Sequence, residues 1–298
     1  MITIFDALKN RYIITGKISF KGPVAVSTGE ADENTDAPVM KRKHDKVPFI
    51  PGSSFRGALR AAVERILAGL GVPACLLGAN PLGDKCLSVS KDAQKEVRTL
   101  TEKPDKTEVD VLEAVLEKLC PACGLFGSTF LASRLKVADL IGDDTAKENV
   151  VIRHRVGIDR DSETARDGAK FDGEMVEKGK FEMELILENG GPQDWGMLGL
   201  GLLELQRNDL WVGGDNSVGA GRCKLHNFAI KYFGENGYGL KNFLVSGSYK
   251  TKDNPWDFVQ GHVNEFLAKS EGVVSYKDLC LQYGVGVPEG SEDRKSVV

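Results

Sequence analysis

Residues 36–60 read DAPVMKRKHDKVPFIPGSSFRGALR, a polar loop that runs straight into a helix. Asp36 stands alone ahead of a basic cluster, Lys41, Arg42, Lys43 and His44. Ile50, Pro51 and Gly52 then lead into Ser53 and Ser54, which open a helix carrying Arg56 and Arg60. The first turn of a helix has N–H groups without internal partners and a partial positive charge, so it is a ready anion site. Basic residues on both sides of such a start point to a polyanion backbone, and an acid beside bound phosphates is a candidate for chemistry.

Working outward, YIITGKISF at 12–20 places Tyr12, Ile14, Ile18 and Phe20 on one face, which is strand periodicity. Residues 21–48 read as one long loop, a length usually reserved for function or disorder. The helix from Ser54 to Leu67 carries Phe55, Leu59, Ala62, Val63 and Ile66 on one stripe, and Gly69 and Gly71 end it. Residues 72–124 form an insertion with four cysteines, a charged stretch from Lys91 to Lys106 and an amphipathic helix, VDVLEAVLEKL. VVIRHRVGI at 150–158 and FEMELILE at 181–188 read as strands around a polar excursion, and so as an extended hairpin. WGMLGLGLLELQR at 195–207 reads as a helix whose glycines permit close packing on a sheet. A glycine-rich stretch, GGDNSVGAGR at 213–222, precedes the strand CKLHNFAI, and the tail from Pro288 is polar and frayed. This order predicts a single α+β domain over 1–298 with a ferredoxin-like core, and a C-terminal extension from about 235 to 298.

With 298 residues and a net charge of -4, the chain can bury a proper core and is too acidic for a general nucleic-acid coat. A local basic groove remains compatible, because phosphate contacts depend on where the charges sit. The N-terminus, MITIFDALKNRYII, has no cationic start ahead of an apolar stretch, which predicts a protein neither secreted nor membrane-spanning. Six cysteines without a signal peptide point to a reducing cytoplasm, where metal binding outranks disulfides.

Cys120 and Cys123 have zinc-knuckle spacing, and Cys75 and Cys86 can complete a tetrahedral structural zinc site. A redox pair and unrelated buried cysteines are the alternatives, while Cys223 and Cys280 read as small core residues. The glycine-rich stretch lacks the Lys and Ser/Thr of a nucleotide-binding loop and fails the dinucleotide pattern. Gly219 and Gly221 can still cradle a phosphate with backbone N–H groups, or simply form a tight turn. Arg153 and Arg155 share one strand face opposite His154, either for phosphate contact or as a salt-bridged face. Arg134 can reach a phosphate or need no special role. His44, His154, His226 and His262 are scattered, with no histidine acid–base pair, and Asp36 alone reads as an ordinary loop aspartate.

These pieces together resemble the RAMP superfamily of CRISPR effector proteins, in particular the repeated backbone subunit of type III complexes. DAPVMKRKHDKVPFIPGSSFRGALR resembles the family's link from first strand to first helix, and RHRVGIDRDSETARDGAKFDGEMVEKGKF its thumb. WVGGDNSVGAGR resembles its glycine-rich loop, and CGLFGSTFLASRL a segment near the insertion. The resemblance implies a modified RRM-like fold with a zinc-knuckle insertion and a thumb over about 157–180. It also implies copies stacked along a CRISPR guide RNA beside homologous effector-complex subunits, and a thumb that splays a base of complementary target RNA. By position Asp36 matches the aspartate those subunits need, with a divalent metal (Mg or Mn), for attack of the neighbouring 2′-OH on the target backbone. Lys41, Arg42, Lys43, Ser53, Ser54, Arg56 and Arg60 would meet the guide, and Met175 or Phe171 would wedge the duplex. A non-cleaving structural subunit, and a nuclease that processes precursor guide RNA near His44, are the other readings.

Overall fold

The computed structural model describes residues 7–33, 35–75, 85–103 and 105–285. The tail from Pro288 lies outside them. The central sheet has seven strands among the described residues, and every pairing in it is antiparallel. At its centre β1 (Arg11–Phe20) lies between β7 (Lys180–Glu188) and β8 (Cys223–Phe233). Beyond β7 come the short β3 (Leu135–Val137), β4 (Leu140–Gly142) and β2 (Phe49–Ile50); beyond β8 comes β9 (Lys250–Thr251). This is the expected ferredoxin-like arrangement, with β1 inserted between β7 and β8.

Period-two alternation makes the core. Tyr12, Ile14 and Ile18 of β1, and Phe181, Met183, Leu185 and Leu187 of β7, point to the same buried side. Helix α1 (Gly52–Gly69) covers that side with Phe55, Leu59, Ala62, Val63 and Leu67. Each of the larger side chains stabilises the fold by about 1.5–3 kcal/mol on burial. The insertion carries α2 (Lys91–Thr101), α3 (Glu108–Lys118) and α4 (Pro121–Phe126). Thr107 and Asp110 form a reciprocal capping box that starts α3 where the sequence places its amphipathic helix.

After β4, α5 (Asp144–Glu148) leads into the hairpin, which differs from expectation. The strand at 150–158 does not pair with 181–188. β5 (Val150–Ile158) pairs with β6 (Ala165–Val176), and together they form a separate two-stranded sheet. The reason is apolar periodicity: β7 has a continuous buried face and belongs to the core, whereas β6 has one only at its root, where Met175 and Val176 are buried. Met175 therefore lies inside, while Phe171 is 47% exposed.

Helix α6 (Pro192–Arg207) ends at Asn208 in the left-handed conformation. Its glycines face helices rather than the sheet. A methyl at Gly196 or Gly199 would strike Phe266 or Val263 of α8 (Pro255–Lys269), and one at Gly201 would strike Leu59 of α1. The C-terminal extension is thus part of the packed body: it supplies α7 (Leu240–Ser246), β9, α8 and α9 (Tyr276–Gln282). Its Tyr276 ring lies against Gly124 of α4, so closely that a Cβ there would sit 2.1 Å from the ring. Among the described residues, no helix is long and apolar enough to cross a membrane.

Candidate nucleic-acid interface and metal centre

Between α1 and the glycine-rich loop runs an open cleft of about 840 Å³. One wall is the exposed side of α1, with Ser54, Gly57, Ala58, Ala61 and Arg65; the other is Trp211, Gly213, Asn216 and Ser217. The small residues of α1 keep that wall low, so a bulky chain can approach the helix backbone. Gly213, Gly219 and Gly221 all have positive φ, and at Gly221 a Cβ would meet the Val212 carbonyl oxygen at 2.2 Å. The loop is tied to the chain after β1, with Gly221 N–H donating to Pro23 O and Gly214 N–H to Ala25 O, both at 2.8 Å. Trp211, with the Arg222 guanidinium 6.0 Å from its ring centre, opens the stretch that resembles the glycine-rich loop but was assigned no role of its own by the sequence.

The start of α1 is less open to an outside anion than its sequence suggests. Asp139, one residue before β4, accepts the Gly52 N–H at 2.8 Å, while the Ser54 and Phe55 N–H groups go to Pro51 O. A carboxylate of the chain itself already sits at this helix dipole. Ser53 is exposed and Ser54 half-buried on the cleft side.

The basic residues separate into two groups. Lys43 and Arg153 are exposed, Lys41 holds Glu174 through both carboxylate oxygens at 2.9 and 2.8 Å, and Arg42 pairs with Asp45. Arg155 makes a bidentate pair with Asp215 of the glycine-rich loop at 2.6 and 2.5 Å, joining the hairpin to that loop. Arg56, Arg60 and Arg134 turn inward. Arg56 donates to the Phe126 carbonyl. Arg134 is 4% exposed and held by Asp194 and Tyr276. Arg60, although it borders the cleft, donates to Cys123 Sγ at 3.1 Å, Cys75 Sγ at 3.4 Å and Glu64 at 2.7 Å.

Those two sulfurs belong to a buried set. Cys75, Cys86, Cys120 and Cys123 bring their Sγ atoms within 4.8 Å of one another. Tetrahedral Zn²⁺ with Zn–S bonds of ~2.3 Å spaces its sulfurs ~3.8 Å apart. Cys123 lies 3.5 Å from Cys75 and 3.8 Å from Cys86, so the donor set fits. Crowded sulfurs cannot all ionise by themselves: Cys120 and Cys123 pull Cys75 down to about 7, whereas Cys123 pushes Cys120 up. A divalent cation lets all four be thiolates. Burial works against the Arg60 charge, but Cys123 and Glu64 outweigh it and raise its pKa. Arg60 thus offers the donor that thiolates bound to a metal accept from their surroundings. Cys223 and Cys280 are buried away from this set, as expected of core residues.

Asp36 lies at the root of the hairpin. Its N–H donates to Asp172 O at 3.0 Å and its Oδ2 accepts the Asp172 N–H at 2.8 Å. Ala37 continues alongside as a parallel bridge to Gly173, and Glu174 accepts the Val39 N–H at 3.0 Å. The loop carrying the acid is therefore a third strand-like edge on β6, and Asp36 stays exposed. Phe171, one residue from this anchor, presents its ring 5.7 Å from the Arg155 guanidinium.

A search of curated proteins finds no match. The family model of the RAMP superfamily matches residues 17–224, from β1 through the glycine-rich loop. Since this spans well over half of the chain, the protein belongs to the RAMP superfamily, and as such is a CRISPR-associated RNA-binding subunit.

Proposed function

We propose that this subunit holds a CRISPR guide RNA along the cleft between α1 and the glycine-rich loop and cuts complementary target RNA beside Asp36. The observation that carries the reading is the anchoring of Asp36 to the hairpin strand through the Asp172 N–H. An acid fixed to the thumb moves with whatever the thumb splays, so cut and wedge stay in register. Splaying matters because regular A-form RNA holds the 2′-OH badly aligned for in-line attack. Phe171, exposed beside the acid, is the wedge this geometry favours over the buried Met175.

Lys43, Arg153, Ser53 and Ser54 are the groups offered to phosphates, with Trp211 as a stacking surface; the N–H groups of Val218, Gly219, Ala220 and Gly221 instead donate to carbonyls of the chain. The four cysteines would hold a structural zinc that fastens the insertion to α1 through Arg60. A Mg or Mn ion at Asp36 would rely on RNA phosphate oxygens for most of its ligands, since among the described residues three protein donors gather only at the cysteines. Homologous subunits stacked on the same guide are the expected partners.

The test uses the assembled complex with its guide and a labelled complementary RNA. Asp36→Ala should lower cleavage by about 10²–10⁴-fold with guide binding intact. Unchanged cleavage rejects Asp36, and cuts confined to positions facing neighbouring copies favour a non-cleaving subunit. Cutting of the precursor repeat by the isolated protein would favour guide processing.

A further inference from the structure

We propose that the face of the central sheet turned away from α1 carries a second RNA site, where Lys180, Ser19 and Lys224, with His226 beside them, hold backbone phosphates. The site is separate from the cleft and does not depend on cleavage at Asp36. Strand alternation is the starting point. With Ile14 and Ile18 buried on the α1 side, Lys17 and Ser19 of β1 point to the opposite face. Register then sets their neighbours. Ser19 lies directly between Lys180 of β7 and Lys224 of β8, and Lys17 lies between Glu182 and His226. Directly opposed residues share a face, so two rows of side chains stand together there.

These rows are strongly positive in a chain whose net charge is -4. They hold three lysines and a single acid, Glu182. Glu182 is taken by Lys17 at 2.7 Å. Asp143, the other acid that acts on Lys17, accepts the N–H groups of Lys180 and Ala146. Lys180 and Lys224 are exposed, and neither side chain has an ion pair among the described residues. Ser19 Oγ lies 2.8 Å from His226 Nε2, which keeps hydroxyl and ring side by side. Burial, and then the charges of Lys224 and Lys180, hold the His226 pKa below its ordinary value, as expected of a ring set among uncompensated cations.

The C-terminal extension covers this face at its other end, where Phe243 and Tyr249 lie on Phe233 opposite Arg11. Neighbouring strands are ~4.8 Å apart, so the two unpaired lysines start roughly 10 Å from each other across Ser19. Each flexible stem can take a phosphate, with the Ser19 hydroxyl between them as a further donor. Ammonium groups and a hydroxyl on a flat sheet meet backbone oxygens rather than base edges, so the ligand is an RNA strand held without sequence preference. The chain is an RNA-binding subunit, which makes RNA the source of phosphate. The cleft lies on the α1 side, so the sheet separates the two sites and each can hold its own stretch of RNA.

Filter binding of a labelled oligouridylate to the full chain, between about 50 and 200 mM salt, tests this. Lys180→Gln combined with Lys224→Gln should weaken binding about tenfold. It should also flatten the slope of log affinity against log salt by about 1.4, since each phosphate contact to a single strand contributes about 0.7. Glu182→Gln frees Lys17 and should act in the opposite direction, tightening binding and steepening the slope, which a purely structural role would not produce. Lys95→Gln with Lys103→Gln removes the same charge from exposed positions in the insertion and should leave the slope unchanged. If the Lys180 and Lys224 changes leave affinity and slope at wild-type values, or the insertion pair weakens binding equally, the inference falls. Lys43→Gln with Arg153→Gln reports on the guide groove separately. Binding lost there and kept in the Lys180 and Lys224 variant overturns this inference alone; the reverse result leaves the outer face standing without the groove.

Discussion

Arg134 and Arg155 are each held by one aspartate with an aromatic ring at hand, and they serve different ends. Arg134 pairs with Asp194 at 3.2 Å, its guanidinium 5.4 Å from the Tyr276 ring centre, and its side chain is 4% exposed. Arg155 pairs with Asp215, its guanidinium 5.7 Å from Phe171, and its side chain is 26% exposed. The first trio joins β3's approach, α6 and α9 inside the body. The second joins the thumb to the glycine-rich loop at the surface, beside Asp36. Residue type does not separate these roles; solvent does. Burying a charge costs several kcal/mol that only a partner can offset, so the interior trio must stay intact. At the surface, water can replace a partner, and the pair can open for a phosphate.

The sharpest way to break the comparison is at the buried cysteines. Cys123→Ala should abolish metal retention, and chelation of wild type should reproduce its loss of thermal stability, because metal binding to a structural four-cysteine site is coupled to folding. Metal analysis and melting curves check this; a variant as stable as wild type would move the cysteines out of the structural interior. Next in size, Asp194→Ala should destabilise by about 3–5 kcal/mol in urea titrations, since it strands Arg134 without a counter-ion. Replacing both, Arg134→Met with Asp194→Leu, should recover much of that loss. Smallest is Arg155→Ala, whose stability cost should be under about 1 kcal/mol. Its effect should show instead in guide RNA affinity, measured by filter binding across salt concentrations.

Much of the body was legible in sequence. Alternation marked Tyr12, Ile14 and Ile18 as a buried strand face, and the same pattern marked Phe181 to Leu187. The C-x-x-C spacing led to the four sulfurs that the fold gathers. The pairing of 150–158 was misjudged because period two tells which face is apolar and says nothing about which strand lies alongside. The inward turn of Arg56, Arg60 and Arg134 was equally hidden, since a basic residue in a polar stretch looks the same whether it meets a phosphate or a carbonyl. Asp139 at the start of α1 and Asp172 beside Asp36 are remote in sequence from the groups they hold, so no local pattern announces them.

The sequence by itself determined the α+β class, the apolar faces of β1, β7 and α1, the cysteine set, and the ordered motifs that resemble the RAMP superfamily. All of these depend on residue type at short spacing, where chain geometry is the only intermediary. Only the tertiary structure decided which cations face outward, which strand pairs with β5, and that Asp36 meets Asp172 of β6. The contact of Asp36 with Asp172 joins residues 136 positions apart, and burial and register form it only after the chain has closed on itself.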